Sequence, residues 1–270
     1  MLVTEYMGRG SLHDALYKHP DKEISWKARN KVAVEVAKAM VYLHSELPGK
    51  RTLAHLDLKP GNVLLGVNWV KVADFGLCRM GMNTLGTAKS ADGRPGTLEY
   101  MAPEIHNGAG IGTASDVYSF AVIMWELCAR QRPCLGFDHP VARKQLPALE
   151  ALLGVWVCEG MRPTIPAGCP PAWLALILDC WQPLHGARPK SREIVPRLLA
   201  MRLEEAAPPP LSLPTVSRVV ASDPLPRPRR SGPTRQLAVA TGLVARLERA
   251  TLVAPAGLEA SSPAKPAAAP

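Results

Sequence analysis

Residues 55–62 read HLDLKPGN, residues 74–76 read DFG and residues 102–104 read APE, in that order. Between the first two lie short apolar pieces, Asn62 to Leu65 and Val70 to Ala73, separated by Gly66, Val67 and Asn68. β-Branched residues on either side of a turn-forming break predict two short strands in a hairpin. That hairpin would carry the polar residues of 55–62 and of 74–76 on one rigid base.

Working outward, residues 2–6 (LVTEY) have the content of a strand end, and Gly8 and Gly10 then punctuate the chain. From Ser25, a good helix-capping residue, Val32, Val36, Ala39, Met40 and Leu43 recur at spacings of three and four. This predicts a helix ended by Pro48 and Gly49. Residues 115–128, SDVYSFAVIMWELC, are apolar almost all round, as a helix at a domain centre must be. Amphipathic stretches follow near Ala142 to Leu153 and Pro171 to Trp181, with a last one from Ser191 to about Leu203. Pro196 predicts that the last helix starts late or kinks, because an interior proline costs roughly 3 kcal/mol.

Composition sets the frame for these elements. Residues 1–205 alternate apolar stretches with charge, whereas from Ala206 to Pro270 the sequence turns to Pro, Ala, Ser and Arg. That tail is expected to stay disordered. It carries eight Lys or Arg against three acids, and so supplies five of the nine excess positive charges. The densest basic cluster, Arg227-Pro228-Arg229-Arg230, is short and has no interleaved aromatic residue to stack on bases. It is read as a solvated linker rather than a nucleic-acid site, with an import signal or a ligand for a partner domain left open.

Cys78, Cys128, Cys134, Cys158, Cys169 and Cys180 do not fall at zinc-binding spacings, and no secretion signal opens the chain. Reduced thiols in a cytoplasmic protein are expected. The longest apolar run, around Phe120 to Trp125, is far shorter than the ~20 residues a bilayer needs, so no transmembrane segment is expected in this chain.

The three ordered motifs resemble the catalytic loop, metal-binding triplet and activation-segment end of protein kinases. Further pieces, DVYSFAVIMWEL, GMRPTIP, DCW and ARPKSREIVPRL, are similar to the tyrosine-kinase-like group of serine/threonine kinases, and the resemblance covers residues 2–203. It implies a mainly α fold with short β hairpins: the hinge and large lobe of a kinase domain over residues 1–205. The family's N-terminal β lobe, with its glycine-rich loop and strand lysine, is not in this sequence. An active enzyme would be expected to need it.

Function follows from the same resemblance. It implies transfer of phosphate from ATP, with Mg2+, to serine or threonine hydroxyls of a protein substrate. Asp57 would be the base and Lys59 the cation on the transferred phosphate. Asn62 and Asp74 would hold magnesium through hard oxygen donors. Thr4 as gatekeeper, with Glu5, Met7 and Leu64, would meet the nucleotide on a floor that includes Leu2. His55 and Phe75 would pack under the metal site. Thr97 would bond Asp57 and Lys59, Asp116 would hold the backbone near His55, and Glu104 would pair with Arg188.

Leu56 stands where the family commonly has an Arg that grips a phosphorylated activation segment, so control through Thr84, Thr87 or Ser90 loses much of its physical basis, while modification of these residues stays open. The alternative function is a noncatalytic kinase-like binding or scaffold module, with the Pro/Arg-rich tail recruiting partners.

Overall fold

The computed structural model describes residues 4–48, 50–80, 96–138, 149–201 and 203. All of them belong to the unit Met1–Pro226. The tail from 206, Leu2, and the candidate modification sites Thr84, Thr87 and Ser90 lie outside the described residues.

The described part is mainly helical. The helices are α1 Leu12–Tyr17, α2 Trp26–His44, α3 Pro103–His106, α4 Thr113–Ala129, α5 Leu149–Cys158, α6 Pro171–Cys180 and α7 Ser191–Ala200. Four short strands make two antiparallel pairs: β1 Leu53–Ala54 with β4 Arg79–Met80, and β2 Val63–Leu65 with β3 Val70–Val72.

Local chemistry explains where these elements begin. Ser11 caps α1 by accepting from Asp14 N, while the Asp14 carboxylate returns the bond to Ser11 N at 3.0 Å. This reciprocal box satisfies two backbone donors that a helix start leaves unpaired. Ser25 caps α2 by accepting from Ala28 N. The α2 face that turns inward, Ala33, Val36, Ala37, Met40 and Leu43, has the spacing of one helical stripe.

At the centre stands α4, buried from Ser115 through Cys128. Phe120, Ile123, Met124 and Trp125 are essentially inaccessible to water, and each such side chain contributes roughly 1.5–3 kcal/mol of burial free energy. Polar ends of the core aromatics are satisfied by backbone: Trp125 Nε1 donates to Thr164 O and Trp173 Nε1 to Met124 O.

Several boundaries differ from the sequence reading. Helix α2 stops at His44, because Ser45 turns extended, four residues before Gly49 is reached. Residues Thr4–Met7 take no place in a ladder; instead Arg9–Ser11 lies along β2, through Arg9 N to Leu65 O at 3.2 Å and Leu65 N to Gly10 O at 2.8 Å. The helix expected near Ala142 to Leu153 is described over Leu149–Cys158 and so runs five residues further. Helix α7 begins at Ser191 rather than late, runs through Pro196, and ends at Ala200. Its start is secured by Lys190 N donating to the Glu193 carboxylate, and Ile194 and Leu198 anchor its buried face.

Candidate active site

The segment 55–62 leaves β1 and returns into β2, and its backbone is fixed from beneath. Asp116 in the first turn of α4 is wholly buried. Its two carboxylate oxygens accept from His55 N and Leu56 N, each at 2.8 Å. His44, at the end of α2, adds its Nε2 at 2.8 Å, and the other ring nitrogen meets Ser191 Oγ at 3.1 Å. A buried loop cannot leave its donors unpaired, and here one carboxylate answers for two of them.

Leu56 is the strained point of the loop, with φ of 67° in the left-handed region that a branched side chain seldom adopts. Its side chain is buried and carries no hydrogen-bond donor. Gly96 is pressed against the Leu56 carbonyl: a Cβ there would lie 2.5 Å from the oxygen, and its φ of 99° also calls for glycine.

On this base four polar side chains meet. Thr97 Oγ1 donates to Asp57 Oδ1 and accepts from Lys59 Nζ, both at 2.9 Å. Lys59 Nζ also stands 2.7 Å from Asp57 Oδ2. Asn62 Nδ2 donates to the same Oδ2 at 3.0 Å and to Asp57 O at 2.8 Å. A carboxylate has about four acceptor sites, and these three contacts leave one open on Asp57. Asn62 spends its amide nitrogen on Asp57, so its Oδ1 is the amide's free acceptor.

Asp74 reaches the site by a different route. Ala73 N donates to Asn62 O at 2.9 Å, and Ala73 O faces His55 Nε2 at 3.0 Å, so the residue before Asp74 is pinned to the loop. Asp74 itself has φ of 64°, is exposed, and accepts from Gly76 N at 3.3 Å. Its carboxylate thus shares a backbone foundation with Asn62 but makes no hydrogen bond to Asp57. The His55 and Phe75 rings lie against each other with centroids 5.4 Å apart and planes tilted by 53°.

The residues expected to meet the nucleotide are more open. Thr4 and Glu5 are exposed, and Glu5 pairs with Lys71 on β3. Met7 and Leu64 are half-buried, with Met7 Cε lying against the hairpin turn at Gly66.

Farther from this cluster, Arg188 grips Glu104 with two nitrogens at 2.7 and 2.8 Å. Its remaining hydrogens go to the Gln182, Ala114 and Pro183 carbonyls, and its guanidinium lies over the Tyr118 ring. Burial alone would raise the Glu104 carboxyl, but the bonds and charge of Arg188 outweigh it and hold the group below its ordinary value.

Beside this arrangement of a loop carboxylate, lysine and amide, with a threonine from the segment leading to APE, stand the comparisons with known proteins. The pattern of the family described as "Protein tyrosine and serine/threonine kinase" matches residues 1–198. The chain belongs to this protein kinase family.

Among similar curated proteins is the probable serine/threonine-protein kinase drkA of Dictyostelium discoideum. It is 34% identical over 198 residues, which cover 73% of this chain and 28% of that protein. Stress-activated protein kinase alpha of the same organism is 34% identical over 207 residues, covering 75% of this chain and 31% of its own length. The serine/threonine-protein kinase CTR1 of Arabidopsis thaliana is 37% identical over 211 residues, 77% of this chain and 24% of that protein. This kinase chain therefore spans less than a third of the length of each of these relatives. Among its described residues no helix is long and apolar enough to cross a membrane.

Two groups of this kinase domain escaped the sequence reading. His44 and Ser191, which back Asp116, come from helices distant in sequence, and no local pattern marks them. Glu126, with Tyr17 and Tyr100, had a legible signal: a carboxylate inside an otherwise apolar helix needs partners.

Proposed function

We propose that the chain, acting together with a kinase small lobe that covers the nucleotide, transfers the terminal phosphoryl group of ATP to serine or threonine hydroxyls of a protein substrate. The observation that carries this reading is the shared Thr97 hydroxyl, which binds Asp57 and Lys59 at once. It aligns a proton acceptor and a phosphate-facing cation while leaving one carboxylate site open for an incoming hydroxyl.

Each residue then has a limited task. Asp57 orients the substrate hydroxyl and takes its proton. Lys59 offers a point charge to the transferred group. The donor set of Asn62 Oδ1 and the Asp74 carboxylate, both hard oxygens, fits magnesium, and these two residues would hold it. Magnesium supplies neutralisation of phosphate charge when bound. Thr4, Glu5, Met7 and Leu64 would receive the nucleotide beside the hinge. The left-handed Leu56 and the buried Asp116 keep Asp57 aimed without further movement, which is how a positioned group lowers a barrier.

The test is transfer of labelled phosphate from magnesium ATP to a generic serine- and threonine-bearing basic protein, measured beside nucleotide affinity. Asp57→Ala is expected to abolish transfer and leave magnesium-ATP affinity within a few fold, whereas Asp74→Asn weakens the magnesium dependence of binding. Transfer that survives Asp57→Ala overturns the assignment. A chain that binds no nucleotide yet holds protein partners returns the scaffold reading.

A further inference from the structure

Glu126 lies near the end of α4 and is wholly buried. Both of its carboxyl oxygens are taken by phenols from other parts of the chain. Tyr17 Oη of α1 donates to Oε1, and Tyr100 Oη, from the turn Leu98–Tyr100, donates to Oε2 at 2.8 Å. The charged groups facing it are Glu99, on the same turn as Tyr100, and Arg132, just beyond α4. Arg132 is committed to Glu99 at 2.6 Å, and Cys134 N also turns to Glu99. Glu126 thus has no cation of its own among the described residues.

The two phenols belong to two separate segments, each of which connects to the candidate active site. Tyr17 ends the helix whose cap, Ser11, is bridged to Leu64 on the nucleotide side. Tyr100 N bonds Thr97 O at 3.0 Å, and Thr97 is the residue joined to Asp57 and Lys59. A single buried carboxyl is therefore the shared acceptor of both walls.

We propose that Glu126 is a positioning residue that holds a proton in the folded chain and clamps α1 to the Thr97–Tyr100 turn, a clamp that loses its grip when the proton leaves. The physical cause is desolvation. Burial raises the Glu126 carboxyl to about 8, the phenol hydrogen bonds oppose that rise, Glu99 adds to it and Arg132 offsets it. Burial and the neighbouring Glu126 push both phenols far above their usual range, so they stay protonated; while Glu126 holds its own proton one phenol oxygen accepts it, and on ionisation both phenols donate. An ionised Glu126 without a cation gains by letting water in, and water enters only if one wall moves.

The prediction has a definite sign. Between the ordinary value of 4.5 and the folded value of about 8, the folded chain holds one proton that the unfolded chain has lost. Stability from this group is complete below 4.5, declines as pH rises through the interval, and levels off above 8. Glu126→Gln offers both an acceptor and a donor to the two phenols and does not titrate. The unfolding equilibrium constant of the natural chain, divided by that of Glu126→Gln, is expected to rise roughly tenfold per pH unit across the interval. Tyr17→Phe removes a donor that steadies the ionised form, so its upper break moves to higher pH. Amide exchange at Tyr100 and Met101, taken relative to Glu126→Gln at the same pH, is expected to quicken above about pH 8.

A ratio that stays flat with pH, or an upper break in the ordinary carboxylate range, overturns the proposal. Should Glu126→Gln fail to fold, infrared spectra of the natural chain and Tyr17→Phe decide instead. A band from a protonated, buried carboxyl is expected at about pH 6, fading at higher pH in Tyr17→Phe than in the natural chain; its absence at about pH 6 overturns the idea. These readouts follow folding and protonation, so they fail or succeed apart from phosphoryl transfer.

Discussion

The loop 55–62 and the strip formed by Thr4–Gly10 with the 66–69 turn lie side by side, yet they are built on different principles. In the loop, His55, Asp57 and Asn62 are buried and tied to one another or to α4. In the strip, Tyr6 is 92% exposed, Val67 70% and Trp69 69%. Among the described residues, short pairings along β2, the ion pair of Glu5 with Lys71 and the contact of Met7 with the turn at Gly66 hold it. The half of the site that would handle the accepting hydroxyl carries its own support. The half that would meet the nucleotide is more open, with Thr4 and Glu5 exposed and Met7 and Leu64 half-buried.

This contrast can be broken most forcefully at Asp116. Asp116→Ala would strand two buried backbone donors and His44, at ~1–3 kcal/mol for each unpaired group, so denaturant unfolding should show a loss of about 5 kcal/mol or failure to fold. A loss below ~1 kcal/mol would mean the loop is held by something else.

Next comes Arg188→Ala, which leaves Glu104 charged and buried at a cost of ~3–5 kcal/mol near neutral pH. Because the folded Glu104 carboxyl sits below its ordinary value, its contribution is present above that value and lost as pH falls through the folded one. The gap between natural chain and variant should therefore narrow in acid, as thermal melts would show. A gap unchanged by acid would assign the loss to packing on Tyr118.

Smaller still is Gly96→Ala, where the clash with Leu56 O and the positive φ together cost ~2–3 kcal/mol. A partial rescue by Leu56→Gly, which relaxes the left-handed residue opposite, would sharpen the case that the two are locked together. At the bottom of the scale, Trp69→Ser in the exposed strip should change stability by no more than ~0.5 kcal/mol. A larger loss would show that the strip is supported after all.

Legibility in the sequence followed the same divide. The β2–β3 hairpin was readable because β-branched residues flank a turn, and its register of Val63 with Val72 needs only local geometry. Central α4 was readable from an uninterrupted apolar run. The end of α2 was not: Pro48 and Gly49 are strong punctuation, but Ser45 had already left the helix. The late start that Pro196 suggested did not occur, since α7 keeps its start through Glu193 and its packing through Ile194 and Leu198, and packing overrides a propensity penalty. In the site, the positions of Asp57, Lys59 and Asn62 were written in one contiguous motif. The pairing of β1 with β4 and the backing of Asp116 by His44 and Ser191 were not, because they join segments whose proximity exists only after folding.

The close approach of Gly96 to the Leu56 carbonyl bears on how such a chain can change over generations. A Cβ at position 96 would meet main chain rather than a side chain that can turn aside, so replacement there requires the loop that carries Asp57 to shift as well.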